Sequence, residues 1–291
     1  MAVPNLRSIL EENDDDSYIE GVHNYCNRWC ERCPFTERCL NFAISSEIFP
    51  DAESQDIQSR AFWDGLYRVF AQTLELVREM AVEQGVDLEA LDSPQERAAY
   101  DRHKALLDAA VEESPLHQAA QAYTALAAGW LDSSQELFQA KGEELTRLAL
   151  AGLDEERLEA KAISLTDAVE VIRWYQLFIG VKLIRAITGA IDEAEDDPEM
   201  LAEFGRDSDG SAKIALIAID HSIGAWGVLL AGFPERETET LTILAHLDRL
   251  RRAAEREFPN ARAFVRAGWD TGEVTVQPPH PTPPHSDSLS E

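Results

Sequence analysis

The sequence predicts an all-α protein, a bundle of about six long helices preceded by a four-cysteine metal-binding module. Three observations carry this. The 13 prolines sit at the edges of long proline-free runs, the longest reaching 82 residues from Leu116 to Asp197. Those runs are rich in Ala, Leu, Glu, Gln and Arg, which favour helices, whereas proline breaks helix interiors. Apolar residues recur at steps of three and four, and no convincing strand alternation occurs before Glu273–Val276. The expected division is an acidic disordered tail over 1–16, a cysteine module over 17–41, a helical bundle over 42–272 and a disordered Pro/Ser/His tail over 273–291.

The elements follow in order. From about Asp56 to Gln84 the stripe Trp63, Leu66, Tyr67, Phe70, Leu74, Val77 and Ala81 marks an amphipathic helix. Gly85 fits its cap, and Asp64 with Arg68, four apart, fits a surface pair. Ser93, Pro94 and Glu96 form the next start signal, for a helix to about Val111. Ser114 and Pro115 repeat it, and that helix runs toward Gly152, with a break expected near Gly129. Ser164 and Asp167 read as a variant capping box, opening a helix apolar on most sides and therefore central. Loops are expected at Glu195–Pro198 and Arg206–Ser211, then a very apolar helix at Ile214–Ala231 stopped by Gly232, Phe233 and Pro234. A last helix spans about Glu237–Phe258, its later part made basic by Arg249, Arg251 and Arg252, which suits the negative end of the helix dipole.

With 54 Asp+Glu against 26 Lys+Arg the formal charge is −28. Phosphate binding rests on Lys and Arg, so the charge argues against a nucleic-acid partner, and equally against an anionic membrane surface. Ile214–Phe233 is long enough to cross a bilayer, but Asp220 and His221 lie inside it. It is expected to be a buried core helix instead. The acidic N-terminus is the wrong charge for secretory or mitochondrial targeting, so a cytoplasmic, reducing location is expected. A protein partner is compatible with the composition but not identified by it.

One cluster carries specific chemistry. All four cysteines, Cys26, Cys30, Cys33 and Cys39, fall in one short segment with spacing C-x3-C-x2-C-x5-C. In a reducing compartment four such thiols point to metal ligation or redox chemistry. Were the segment a continuous helix, Cys26 and Cys33 would stand about 10 Å apart along its axis, too far to share one tetrahedral zinc. Pro34 resolves this, because the residue before proline avoids the helical region, so Cys33 falls in a turn and Cys39 can fold back. One short loop supplying every ligand is an iron–sulfur habit, which makes a [4Fe–4S] cluster the first expectation. Structural zinc and free or redox-active thiols are the alternatives. Arg28, Arg32 and Arg38 form a local basic patch able to offset cluster charge. Tyr25, Trp29 and Phe35 could shield a cluster, and His23 is an alternative ligand better read as packing.

The C-x3-C-x2-C part resembles the cluster motif of the radical SAM enzymes, over Cys26, Cys30 and Cys33 alone. Arg32 stands where that family carries an aromatic. Cys39 could also occupy the open iron such an enzyme needs, and alternating strands and helices, on which that family builds, are not found here.

Elsewhere the chemistry is thinner. Lys182 and Arg185 are like-charged neighbours on a central helix, and with His221 they could line an anion pocket; a network of ion pairs is the plainer expectation. A di-iron bundle needs two Glu-x-x-His pairs, and only Glu20 with His23 exists. A calcium-loop reading of Asp207–Gly210 fails because its twelfth position is Ala218. No phosphate loop, nucleophile elbow or zinc-protease motif is present, so the sequence assigns no reaction and no catalytic residue. The expected role is a metal-bound structural or interaction protein, with a cluster-dependent redox enzyme or electron carrier, or a zinc scaffold, as alternatives.

Overall fold

A computed structural model of the chain describes residues 17–91, 93–194, 201 and 205–270. The expected tails, the Glu195–Pro198 loop and the alternating Glu273–Val276 segment lie outside the described residues. Every regular element that is described is helical. The helices are α1 (Leu40–Ile48), α2 (Ala52–Gln55), α3 (Arg60–Gln84), α4 (Leu88–Leu91), α5 (Pro94–Glu113), α6 (Pro115–Asp132), α7 (Gln135–Leu150), α8 (Glu155–Asp192), α9 (Asp207–Gly232) and α10 (Glu237–Glu257). Short 3-10 turns occur at Cys30–Arg32, Thr36–Arg38, Pro234–Arg236 and Ala261–Ala263.

Several boundaries follow the capping chemistry. Ser59 accepts the Ala61 amide at 3.0 Å and opens α3, and Gly85 ends it in the left-handed region at φ +69°. Ser93 accepts the Glu96 amide at 3.3 Å ahead of Pro94. Others differ from expectation. The break in the run after Ser114 falls at Ser133 and Ser134, not at Gly129, which splits the expected helix into α6 and α7. The Ser133 hydroxyl donates to Gly129 O at 2.7 Å and Ser134 to Trp130 O at 2.6 Å, so hydroxyls take the carbonyls that a continuing helix would use.

The capping box at Ser164 and Asp167 does not start a helix. Asp154 accepts the Arg157 amide at 3.2 Å, and α8 runs unbroken from there through both residues. Likewise Asp207–Ser211 is not a loop but the first turns of α9. Glu193 supplies the missing cap: its carboxylate accepts the Ser208 amide at 2.8 Å and the Ser208 hydroxyl at 2.6 Å.

The chain divides into two compact units, one made of the described residues up to Arg97 with 265–270, the other Ala98–Phe264. In the second unit α9 is central and packs on α8 and α10, while α6 packs on both of those and α7 on α8. Trp226, Tyr123, Tyr175, Ile172, Ile219 and Leu229 are at most 1% exposed there. Their polar atoms are satisfied, as burial demands. Trp226 donates to the Tyr123 hydroxyl at 3.2 Å and Trp130 to Thr240 at 3.1 Å, and the two indoles meet edge to face at 5.1 Å. α9 is long and apolar enough to cross a membrane by composition alone, but half of its most apolar window is buried inside this core.

In the first unit α2 packs on α3, and Phe49 fills the space beside Gly65, stacking on Phe62 at 5.4 Å. The middle of the α3 stripe is exposed: Tyr67 is 75% accessible and Phe70 60%. The Asp64–Arg68 pair is also revised. Arg68 donates to the Asp64 carbonyl, and the Asp64 carboxylate pairs with Arg60 at 3.5 Å.

Candidate functional site

The cysteine segment folds as a series of short turns. Cys30 begins the first 3-10 turn, and Cys33 leaves it extended, at φ −88° and ψ 126°, as its place before Pro34 requires. The second turn, Thr36–Arg38, delivers Cys39 in extended geometry as the residue before α1. The Ile19 amide donates to Arg38 O at 3.0 Å and closes the segment on itself. Arg28 is the only non-glycine residue with positive φ among the described residues, at 58°. That backbone strain, of order 1–3 kcal/mol, falls inside the cysteine loop, where the chain turns between Cys26 and Cys30.

This path brings all four thiols to the wall of one cavity, whose other walls include Val22, His23, Arg28, Trp29, Phe35, Phe42 and Trp269. Each cysteine is half-buried and carries a free thiol. The Phe35 amide donates to Cys33 Sγ at 3.4 Å, and the Cys26 thiol donates to His23 O at 3.4 Å. Burial pushes the Cys30 thiol above its ordinary value, and Cys33, Cys26, Glu31 and Cys39 add to the effect. Burial raises Cys33 as well; the Phe35 amide opposes it, and Cys26 and Cys39 reinforce it. The four sulfurs therefore feel one another. Among the described residues no group of three or more His, Cys, Asp or Glu side chains already stands in a metal-binding arrangement. The thiols share a cavity without closing on one point.

The surroundings differ from expectation in three respects. Of the three arginines, Arg28 lines the cavity, while Arg32 stacks over Trp29 at 4.0 Å and Arg38 donates to Ser17 O at 3.3 Å. Trp29 and Phe35 line the cavity, but Tyr25 does not. His23 lines it too, with burial and then Arg28 holding its imidazole below the ordinary value and so favouring the neutral ring.

Sequence reasoning missed Trp269. It comes from 230 residues beyond Cys39, its indole N–H donates to Val22 O at 3.1 Å, and its ring meets Phe35 edge to face at 4.6 Å. Gly268, at φ +73°, allows this approach, since a Cβ there would meet Ile19 and Val22 at 3.1 Å. Arg266 clamps the same indole from 5.2 Å and pairs with Asp270 at 3.0 Å.

The residues of the expected anion pocket are engaged one by one. Arg185 grips Asp207 with two bonds of 2.9 and 2.6 Å, buried Lys182 lies 5.3 Å over Phe178, and His221 packs edge-on against Tyr175 at 5.6 Å. None of these contacts joins the three to one another. Asp220 anchors an ion-pair network instead, with Arg262 at 2.6 Å and Arg251 at 3.5 Å, extended to Glu255 and Asp248. A second cavity in the same unit lies between Ala119 and the α10 face of His246, Arg249, Arg252 and Arg256.

No family model matches the chain, and neither a curated protein nor a solved structure is similar to it.

Proposed function

We propose that Cys26, Cys30, Cys33 and Cys39 bind a metal centre, an iron–sulfur cluster of the [4Fe–4S] type, which orders the N-terminal module for a structural or interaction role in a reducing, cytoplasmic setting. The observation that carries this is the convergence of all four thiols on one cavity with largely apolar walls. The raised Cys30 and Cys33 thiols run opposite to the lowered pKa that a nucleophilic or redox-exchanging cysteine needs. Four thiols crowded in a half-buried space instead favour a bound cation that displaces their protons.

A cluster is preferred over a single zinc ion because one short loop supplies every ligand. Trp29, Phe35 and Trp269 would shield it, and Arg28 would offset its negative charge. Zinc is the second reading, supported by the tight Cys30–Cys33 turn and by the Phe35 amide that donates to Cys33 Sγ.

Purification without oxygen, followed by an absorption spectrum and analysis for iron, sulfide and zinc, separates the two. The expected result is a coloured protein holding iron and sulfide, with Cys39→Ser losing most of both. A colourless protein with about one zinc per chain overturns the cluster in favour of zinc. Absence of all three elements overturns both readings. Reversible bleaching of the visible band on reduction would extend the role to electron transfer.

A further inference from the structure

The apolar face of α3 is held by its own unit at its ends, where Trp63 donates to Ile57 O at 2.8 Å and Ala81 is buried, and is left open between them. Trp63, Tyr67, Phe70, Leu74, Val77 and Ala81 follow one another at steps of 4, 3, 4, 3 and 4, the alternation of a coiled-coil seam. Because about 18 residues make five full turns, these positions form one continuous apolar stripe along the helix. Trp63, Tyr67, Phe70, Leu74 and Val77 are 56, 75, 60, 55 and 46% exposed. The neighbouring face, at Phe62 and Gly65, is the one that meets Phe49.

We propose that α3 pairs with α3 of a second copy of this chain, antiparallel and about a two-fold axis near Gln72. In that register Phe70 faces the partner's Leu74 and Tyr67 faces the partner's Val77, each pair occurring twice by symmetry, as an isologous interface requires. Every inner layer thus sets an aromatic ring against an aliphatic side chain. Trp63 closes each end beside the partner's Ala81, whose small side chain is 7% exposed within its own chain.

The flanking positions agree with the same register. Asp64 and Arg78 are the charged residues immediately beside the seam, and the antiparallel pairing sets Asp64 against the partner's Arg78 on both sides. On the other flank Leu66 meets the partner's Met80, and Thr73 meets its own copy. A parallel pair in register loses all of this. Tyr67 and Phe70 would stack on themselves, and Thr73 would lie beside Arg78 with no acid in reach. The −28 charge of the chain disfavours an anionic lipid surface as the occupant of this face.

Sedimentation equilibrium of the full chain tests the pairing. The expected mass is twice 32.5 kDa. Leu74→Glu should give a monomer with unchanged helical circular dichroism, since residue 74 is exposed within one chain. Asp64→Arg places like charges together on both sides and should weaken dimerisation about tenfold or more. Adding Arg78→Asp to that variant should restore it, a rescue that only the antiparallel register predicts. A wild-type chain that stays monomeric at about 100 μM overturns the proposal. So does a monomer that binds uncharged lipid vesicles through this face, a dimer untouched by Leu74→Glu, or a charge swap that fails to rescue.

Discussion

The two units of this chain are held by different means. Among the described residues of the first unit, the buried apolar side chains are Val22, Phe35 and Ala81. The second unit buries whole aromatic and aliphatic layers, with Trp226, Tyr123, Ile172, Ile179, Leu183 and Leu216 all at 0% exposure. Burial of a large apolar side chain is worth roughly 1.5–3 kcal/mol, so the second unit accumulates a core from its own sequence. The first cannot do so with Val22, Phe35 and the small Ala81, and it leaves Trp63, Tyr67, Phe70 and Leu74 largely exposed. Its remaining resources are the four thiols on one wall and an apolar helix face, both suited to being completed by something bound. Small modules with little core are commonly stabilised in this way, by a metal or by association.

This contrast can be broken from the side of the second unit. Trp226→Ala removes a fully buried indole and the donor to Tyr123, and should cost about 3–5 kcal/mol. In thermal unfolding the transition of the second unit should fall by roughly 10 °C. The metal content of the cysteine module should stay unchanged. Metal lost in proportion to that destabilisation would mean that the two units do not owe their order to separate causes.

A smaller effect sharpens the picture through pH. Burial holds the Asp209 carboxyl above its ordinary 3.8, with Glu193 adding to the shift and Arg206 and Asn260 opposing it. A carboxyl whose folded pKa is raised keeps its proton in the folded state after the unfolded chain has released it. Its contribution is therefore complete at pH below 3.8 and is lost as pH rises through the folded value. Asp209→Asn should remove that decline, so the stability difference between wild type and variant should change across this window and be flat above it. A difference that does not vary with pH would show that Asp209 titrates normally.

Much of the second unit was legible because its helices are closed by local chemistry. Ser114 with Pro115, and the Gly232-Phe233-Pro234 stop, are signals written within a few residues of the boundary they set. Two of the boundaries that were misread depend on residues distant in sequence. Glu193 caps α9 from 15 residues away, and the α6–α7 break is held by Arg236, whose guanidinium donates to the Ser133 and Ser134 hydroxyls at 3.0 and 3.1 Å. Periodicity identified the α3 stripe but could not say what covers it, since a core-facing and a partner-facing stripe share the same helical spacing. At the cysteines, Pro34 disclosed the turn that lets Cys39 return. Trp269 stayed hidden because a contact across so long a stretch of chain leaves no local pattern.

Peptide-resolved hydrogen exchange, on the chain purified without oxygen and again after chelation, measures the contrast directly. Protection should be lost on metal removal across residues 17–48 and 265–270, the cysteine module and its Trp269 latch, and be unchanged in the α8 and α9 core. Equal protection of the module before and after chelation would contradict the claim that a centre bound at Cys26, Cys30, Cys33 and Cys39 is what orders the first unit.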